Sequence, residues 1–337
     1  MNERSATSGF QSHLPPGGPP GEGKTLYWIG AVSFEERCSG SLQVLAASER
    51  RVARAYVLRY ATTVVGARDL EERRNRRMDS MVSMLAKSGC KDIIDREVDA
   101  YGSRDTAEVV EQCVGRLSPN DELVVDITCL TKITAITACG RLATRGGTAC
   151  VAYTLPRVYG GMAENRRDFG GWRSSVIMPL GREPRSLDEG KSRGIVVPGH
   201  ESHRLTIALG DIEPSGGCLV RAITPDRPDF EAVTASRNRR LIETFVGRRG
   251  WKEQRVVFTD SSTMRELVAL EAAVARQNQG PLYLYLLGPK SLLASGVMSA
   301  VSEYPEGSWI VYPAPSFYDA EYSSGIGTTY WWHVTTR

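Results

Sequence analysis

Most of the short signatures that name an enzyme class are missing from this chain of 337 residues. GxSxG is absent, which excludes an ordinary α/β-hydrolase. The stretch "GAVSFEERCSG" after the first apolar run is not GxGxxG, so the usual dinucleotide fingerprint is lacking. There is no P-loop, no HExxH and no PD-(D/E)xK pattern of a nuclease. The seven cysteines (Cys38, Cys90, Cys113, Cys129, Cys139, Cys150 and Cys218) form no CxxC pair. Their scatter argues against a zinc ribbon or a disulfide framework and fits reduced, buried thiols in a cytoplasmic protein. "HESH" (200–203) offers His200 and His203 without a third ligand, so neither a metal nor a cofactor is expected. No apolar run approaches the roughly 20 residues that span a bilayer. A net charge of +3 is too small for a protein built mainly to coat nucleic acid.

What is present is the composition of a globular protein, with 41% hydrophobic and 24% charged residues. The length suits two domains. Residues 1–24, rich in Pro, Gly and Ser with no apolar segment, read as a disordered lead-in rather than a signal peptide.

The stretch "ELVVDITCLTKITAITACGRL" (122–142) carries the most local information. Leu123, Val124, Val125 and Ile127 form a β-branched apolar run, as in a strand covered on both faces. From Ile133 the apolar residues recur at helical spacing. Asp126, Thr128, Thr131 and Lys132 thus fall where a strand hands over to a helix. In open α/β sheets ligands bind at that edge, and free backbone N–H groups favour anions there.

The chain also resembles itself. "ERRNRRMDSMVSMLAKSGCKDII" (72–94) is similar to "ASRNRRLIETFVGRRGWKEQRVV" (235–257), "LVVDITCLTKITAITA" (123–138) to "LYLYLLGPKSLLASGV" (282–297), and "VAYTLPRVYG" (151–160) to "IVYPAPSFYD" (310–319). Three collinear matches at nearly constant spacing point to a diverged duplication. The predicted fold class is α/β, with two Rossmann-like parallel-sheet units related by that duplication. The expected boundaries are 25–179 for unit 1, 180–203 for a linker, and 204–337 for unit 2 with an aromatic terminal strand. Unit 1 should hold strands at 26–32, 54–60, 92–97, 121–127 and 149–154, alternating with helices. Unit 2 should begin with a strand at 205–210 and lack the first helix.

The candidate site is drawn from the strand-end edges. Lys132 and Lys290 are first-turn cations at matching positions. A cation there opposes the helix dipole, so a bound phosphate or carboxylate gives it a reason. Replacing either with alanine is then expected to weaken binding with little loss of stability. Ser33, Arg37, Thr128, Thr131, Gly288 and Ser291 sit on the same edges. Arg157, Tyr159 and Tyr318 are placed to cover a ligand or stack on a base. Asp126 reads either as a ribose contact or as a brace for the turn. Glu35, beside Glu36 and Arg37, reads either as a cap or as a catalytic carboxylate, and the second unit has no expected equivalent.

"VVDITCLTKITAI" resembles the signature of the CRISPR-associated Rossmann-fold sensors, Asp-x-Thr-Gly-Gly-Thr-Lys at a strand-to-helix turn. Asp126, Thr128, Thr131 and Lys132 match it, while Cys129 and Leu130 stand in place of the two glycines. In that family the glycines let the backbone approach a phosphate. The second unit keeps the lysine in "LLGPKS". The resemblance implies binding of a cyclic oligoadenylate or another phosphate-containing nucleotide between two such domains, in antiviral defence or stress signalling, with a separate effector protein or an oligomer as further partners. The alternative is an enzyme that cleaves a nucleotide or phosphodiester in the same cleft, using Glu35, Asp126 and Lys132.

Overall fold

The computed structural model describes residues 18–20, 23–60, 68–118, 120–145, 147–159, 172–180, 187–225, 227–248, 251–315 and 323–336. The first half of the chain runs β1 (Thr25–Ala31), α1 (Gly40–Ala47), β2 (Val52–Tyr60), α2 (Arg68–Lys87), β3 (Asp92–Val98), α3 (Arg104–Val114), β4 (Asp121–Asp126), α4 (Lys132–Arg145), β5 (Gly147–Thr154), β6 (Val158–Tyr159) and β7 (Trp172–Pro179). The second half repeats that order: β8 (Arg193–Val197), α5 (Ser202–Asp211), β9 (Gly216–Ile223), α6 (Pro228–Arg248), β10 (Lys252–Val257), α7 (Ser261–Gln277), β11 (Leu282–Leu286), α8 (Lys290–Glu303), β12 (Ser308–Pro315), β13 (Ser323–Ser324) and β14 (Thr329–Thr336).

Two six-stranded sheets result, in the orders β14-β5-β4-β1-β2-β3 and β10-β9-β8-β11-β12-β7. Five strands of each are parallel, as expected when every crossover is a helix. The sixth is antiparallel and comes from the other half of the chain. β7 pairs with β12, and β14 pairs with β5 from Thr329↔Thr154 to Thr336↔Gly147. The two halves thus exchange their last strands. The fold is α/β with two Rossmann-like units. No helix among the described residues is long and apolar enough to cross a membrane.

The strands form where β-branched and aromatic residues cluster. β4 and β11 ("LYLYL") are buried on both faces, as the central strands of a helix-covered sheet must be. Helices α4 and α8 pack on each other between the sheets. Ile133 and Ile136 of α4 join Leu293, Val297 and Val301 of α8 in one continuous core.

The start of the second half differs from expectation. Its first strand is β8, inside the stretch 180–203 expected as a connection, and residues 205–210 are helical. The missing first helix is α5. Only Ile195, Val196 and Val197 mark β8, and Pro198 follows at once. In "SHRLTIALGD" the buried residues are Leu205, Ala208 and Leu209, a three-then-one spacing that belongs to a helix. Gly210 and Asp211, placed at a strand end by the sequence, close this helix instead.

Candidate functional site

The turns after β4 and β11 lie against each other, and each is completed by a lysine of the other half. Lys132 Nζ donates to the carbonyls of Leu286 (3.4 Å), Leu287 and Gly288 (2.7 Å). Lys290 Nζ donates to the carbonyls of Thr128 (2.7 Å) and Leu130 (2.6 Å). Both lysines are half-buried. The two lysines matched from the repeat are therefore brought together at one join, where their immediate partners are backbone oxygens. An ammonium has three protons, so the carbonyls of Leu286, Leu287 and Gly288 can take all those of Lys132, whereas Lys290 has two acceptors among the described residues.

Burial holds Lys132 well below the usual lysine value, and the positive charges of Arg204 and Lys290 push the same way. Burial followed by Arg37 lowers Lys290 to about 8, against the opposing pull of Glu35 and Asp126. Each lysine therefore lies near a further cation, Arg204 beside Lys132 and Arg37 beside Lys290.

Asp126 braces the first turn. Its Oδ1 accepts from the Thr128 N–H at 2.9 Å, and its Oδ2 accepts from Ser41 Oγ of α1. Ser41 Oγ in turn accepts from Trp28 Nε1 of β1 at 3.1 Å. Burial raises the Asp126 carboxyl above its usual value, while the bonds from Ser41 and Thr128 restrain it. The sheet register gives Asp126 no acidic counterpart. Val125 pairs with Val151 as Leu284 pairs with Ile310, so Tyr285 stands at its place and donates its hydroxyl to the Ile212 carbonyl after α5. Asp126→Ala would strip the acceptor from two buried donors at once. We expect it to cost about 2–4 kcal/mol, read as a shift in the urea midpoint at unchanged slope.

The two threonines also serve the turn. Thr128 Oγ1 accepts from the Thr154 N–H at the end of β5 (2.9 Å). Thr131 caps α4, with its Oγ1 accepting from the Thr134 N–H (3.2 Å) and donating to the Ala100 carbonyl (2.8 Å). Its own N–H donates to the Tyr60 hydroxyl at 2.8 Å, and burial raises that phenol to about 12. Gly288 donates its N–H to the Val197 carbonyl, and a Cβ there would come within 2.6 Å of Val197. Ser291 is buried in the first turn of α8, and its Oγ has no hydrogen-bond partner among the described residues.

Glu35 and Arg37 pair in the loop between β1 and α1. Burial by itself would raise the Glu35 carboxyl, but Arg37, helped by Lys290 and Ser323, holds it below the usual value. Ser33 Oγ accepts from the Glu35 N–H at 3.3 Å and shapes the loop. The partly exposed Cys129 thiol lies 4.0 Å from Glu35 Oε2. Glu36 faces outward to Arg77 (2.8 Å) and to the Gly325 N–H (3.0 Å). Arg77 belongs to the first of the repeated "NRR" triplets. In the second triplet Asn238 donates to the Gly199 carbonyl at 2.9 Å, so both triplets tether their helix to the loop after the first strand of that half.

The second half does have an equivalent of Glu35 and Arg37. Glu201 accepts from Arg204 Nη1 at 2.6 Å. Arg37 Nη1 donates to the Thr154 carbonyl at 3.5 Å, and Arg204 Nε and Nη2 donate to the Pro313 carbonyl at 3.0 and 2.7 Å. Thr154 and Pro313 are matched positions of "VAYT" and "IVYP". The sequence reading missed this pair because it took "HESH" as a metal question. Among the described residues no group of three His, Cys, Asp or Glu side chains is arranged to hold a metal. His200 beside it has its Nδ1 on Thr234 Oγ1 (2.8 Å), and burial lowers it to about 4.

Arg157 is exposed beside Gly325, whose φ of 69° and close approach to the arginine both favour glycine. Tyr159 belongs to β6, which pairs with β13 through Tyr159↔Ser323. Tyr318 lies outside the described residues.

No family model matches this chain, and no curated protein does. Among solved structures it is similar to a Type III CRISPR defence DNA nuclease activated by cyclic oligoadenylate, at 12% identity and a TM-score of 0.49 over 82% of this chain. The chain spans 64% of the length of that nuclease. It is also similar to a short-chain dehydrogenase from Oenococcus oeni (6% identity, TM-score 0.28, covering 87% of this chain and 95% of the other). A third is the cytoplasmic domain of a prokaryotic cation chloride cotransporter (9% identity, TM-score 0.25, 88% and 96% covered). At such identities and scores no residue role passes from these proteins to this chain.

Proposed function

We propose that the chain is a sensor that binds a phosphate-containing nucleotide where its two strand-end edges meet, in a cytoplasmic defence or stress-signalling system. The observation that carries this reading is the crowding of four basic side chains at the join, two of them, Arg37 and Arg204, each paired with one glutamate. Lys132, Lys290, Arg37 and Arg204 converge there with the amino ends of α4 and α8. Each lysine is pushed down by its cationic neighbours as well as by burial. A polyanion relieves that repulsion and gives Lys290 a further acceptor. The match of Asp126, Thr128, Thr131 and Lys132 to the CRISPR-associated sensor signature supports a nucleotide as the anion. Cyclic oligoadenylates are therefore the first ligands to test. Within this reading Asp126, Thr128 and Thr131 shape the turn, while Lys290, Ser291, Arg157 and Tyr159 face the choice of ligand.

Purified protein titrated with cyclic oligoadenylates of several ring sizes should show a raised melting temperature and no new product on chromatography. Ligand at a hundred times its Kd adds about 2.7 kcal/mol to stability. An unmoved melting curve for the whole panel sinks the reading, and product formation turns it into an enzyme.

A further inference from the structure

The two Glu–Arg pairs occupy matched places, and nothing in the sequence resemblance covers the second. Arg37, in the loop after β1, and Arg204, in the first turn of α5 after β8, donate to the same backbone position of the fifth strand of their half, Thr154 or Pro313. Each is neutralised by its own glutamate, Glu35 at two positions before Arg37 and Glu201 at three before Arg204. Each stands close enough to one lysine of the join to lower it, Arg37 to Lys290 and Arg204 to Lys132. The glutamates are part of the same electrostatic unit: Glu35 is held in its charged form by Arg37 and Lys290, and Glu201 pulls Lys132 upward. In the second half the arginine is further fixed by the Tyr312 ring, 5.1 Å below its guanidinium.

An arginine N–H that already holds a carboxylate oxygen is a preformed seat for an oxyanion, because a phosphate oxygen accepts the same charge-assisted hydrogen bond. We propose that Arg204, together with Arg37, binds the anionic groups of the ligand, and that Glu201 and Glu35 are internal stand-ins for those groups in the unliganded protein. This rests on the anion-site reading above and extends it. The site then takes a ligand with at least two phosphodiester or phosphate groups, one for each half. The protein also weakens its own affinity for single, weakly charged anions by making each of them displace a carboxylate. Displaced glutamates next to bound phosphate repel it, so the masking sets a threshold for ligand charge.

The test measures calorimetric binding of inorganic pyrophosphate and of a cyclic oligoadenylate by the full chain, with Glu35→Gln, Glu201→Gln and the double variant. Removing both carboxylates should tighten pyrophosphate binding by about tenfold or more, the scale of a charge-assisted hydrogen bond. Adding Arg204→Gln to Glu201→Gln should cancel the gain. Glu201→Asp, which keeps the charge, should bind like the native chain. If the double variant does not fold, Glu201→Gln alone carries the test, since that carboxylate is the more exposed of the two. Equal or weaker binding by the Gln variants overturns the proposal, as does a gain that survives Arg204→Gln. If the native chain binds cyclic oligoadenylate and the Gln variants bind it no tighter, the sensor reading stands and the masking fails. If only pyrophosphate binds, and more tightly to the Gln variants, the masking stands and the nucleotide reading fails. No binding by any variant removes both.

Discussion

Replacing Lys132 with alanine should destabilise the protein by about 1–3 kcal/mol, the cost of leaving polar groups at a packed join without their partner. The ammonium satisfies carbonyls of Leu286, Leu287 and Gly288. In its absence those oxygens lose their donor at the join of α4 and α8. Alanine also removes the aliphatic stem from beside that join. From the sequence, the same change is expected to weaken ligand binding and leave stability nearly intact. The structure reverses that order of effects, because the lysine is first a bond between the two halves. Denaturant unfolding read by fluorescence and by far-ultraviolet dichroism checks it. A loss below about 1 kcal/mol would mean that the carbonyls find other donors. Lys290→Ala should cost less, since two carbonyls rather than three lose their partner.

The second large effect is in the pH dependence. Lys290 is lowered to about 8 in the folded chain, chiefly by burial and then by Arg37, from the ordinary lysine value of 10.5. The sign follows from which state holds the proton. Between about 8 and 10.5 the unfolded chain keeps a proton that the folded chain has released, so this group makes stability rise with pH across that window. Below about 8 both states are protonated and the burden of the buried charge is carried in full. The whole effect is about 3 kcal/mol for this group. A bound anion offsets the shift by favouring the charged form, so ligand binding at pH 8.5, about half a unit above the folded value, should draw in up to about three quarters of a proton. Calorimetry in two buffers of different ionisation enthalpy reads that number directly. Lys290→Met should abolish both the rise in stability over that window and the proton uptake. A proton count near zero in the native chain would place the bound anion away from Lys290.

The strand–turn–helix around Asp126 was legible because the apolar period changes there from continuous to helical within a few residues. The first five strands fall within about two residues of their expected ends. At β8 and α5 the local signal is short and ambiguous. Three apolar residues before Pro198 look like part of a connection, and "LTIALG" alternates well enough to pass for a strand. Tertiary packing of Leu205 and Leu209 against the core decides in favour of a helix. Asp126 was legible as a turn residue, while its relay through Ser41 to Trp28 joins positions far apart in sequence that only the fold brings together. Lys132 and Lys290 were found by their spacing. That each serves the other half depends on how α4 and α8 pack, which no local pattern encodes. Arg204 left a readable trace, an acid and an arginine just after an apolar run, and it was masked by the two histidines around it.

The exchange of β7 and β14 ties the history of the two halves together. A gene broken between them and rejoined to a stranger would yield two sheets, each lacking the strand that closes its edge and each carrying a loose strand made for the other. Such products expose a long unpaired border and invite sticking to whatever sheet is nearby. Recombination at the midpoint is therefore penalised, whereas duplication of the entire chain is not. The halves can differ in sequence at matched places, as Asp126 and Tyr285 do, but they are inherited as one.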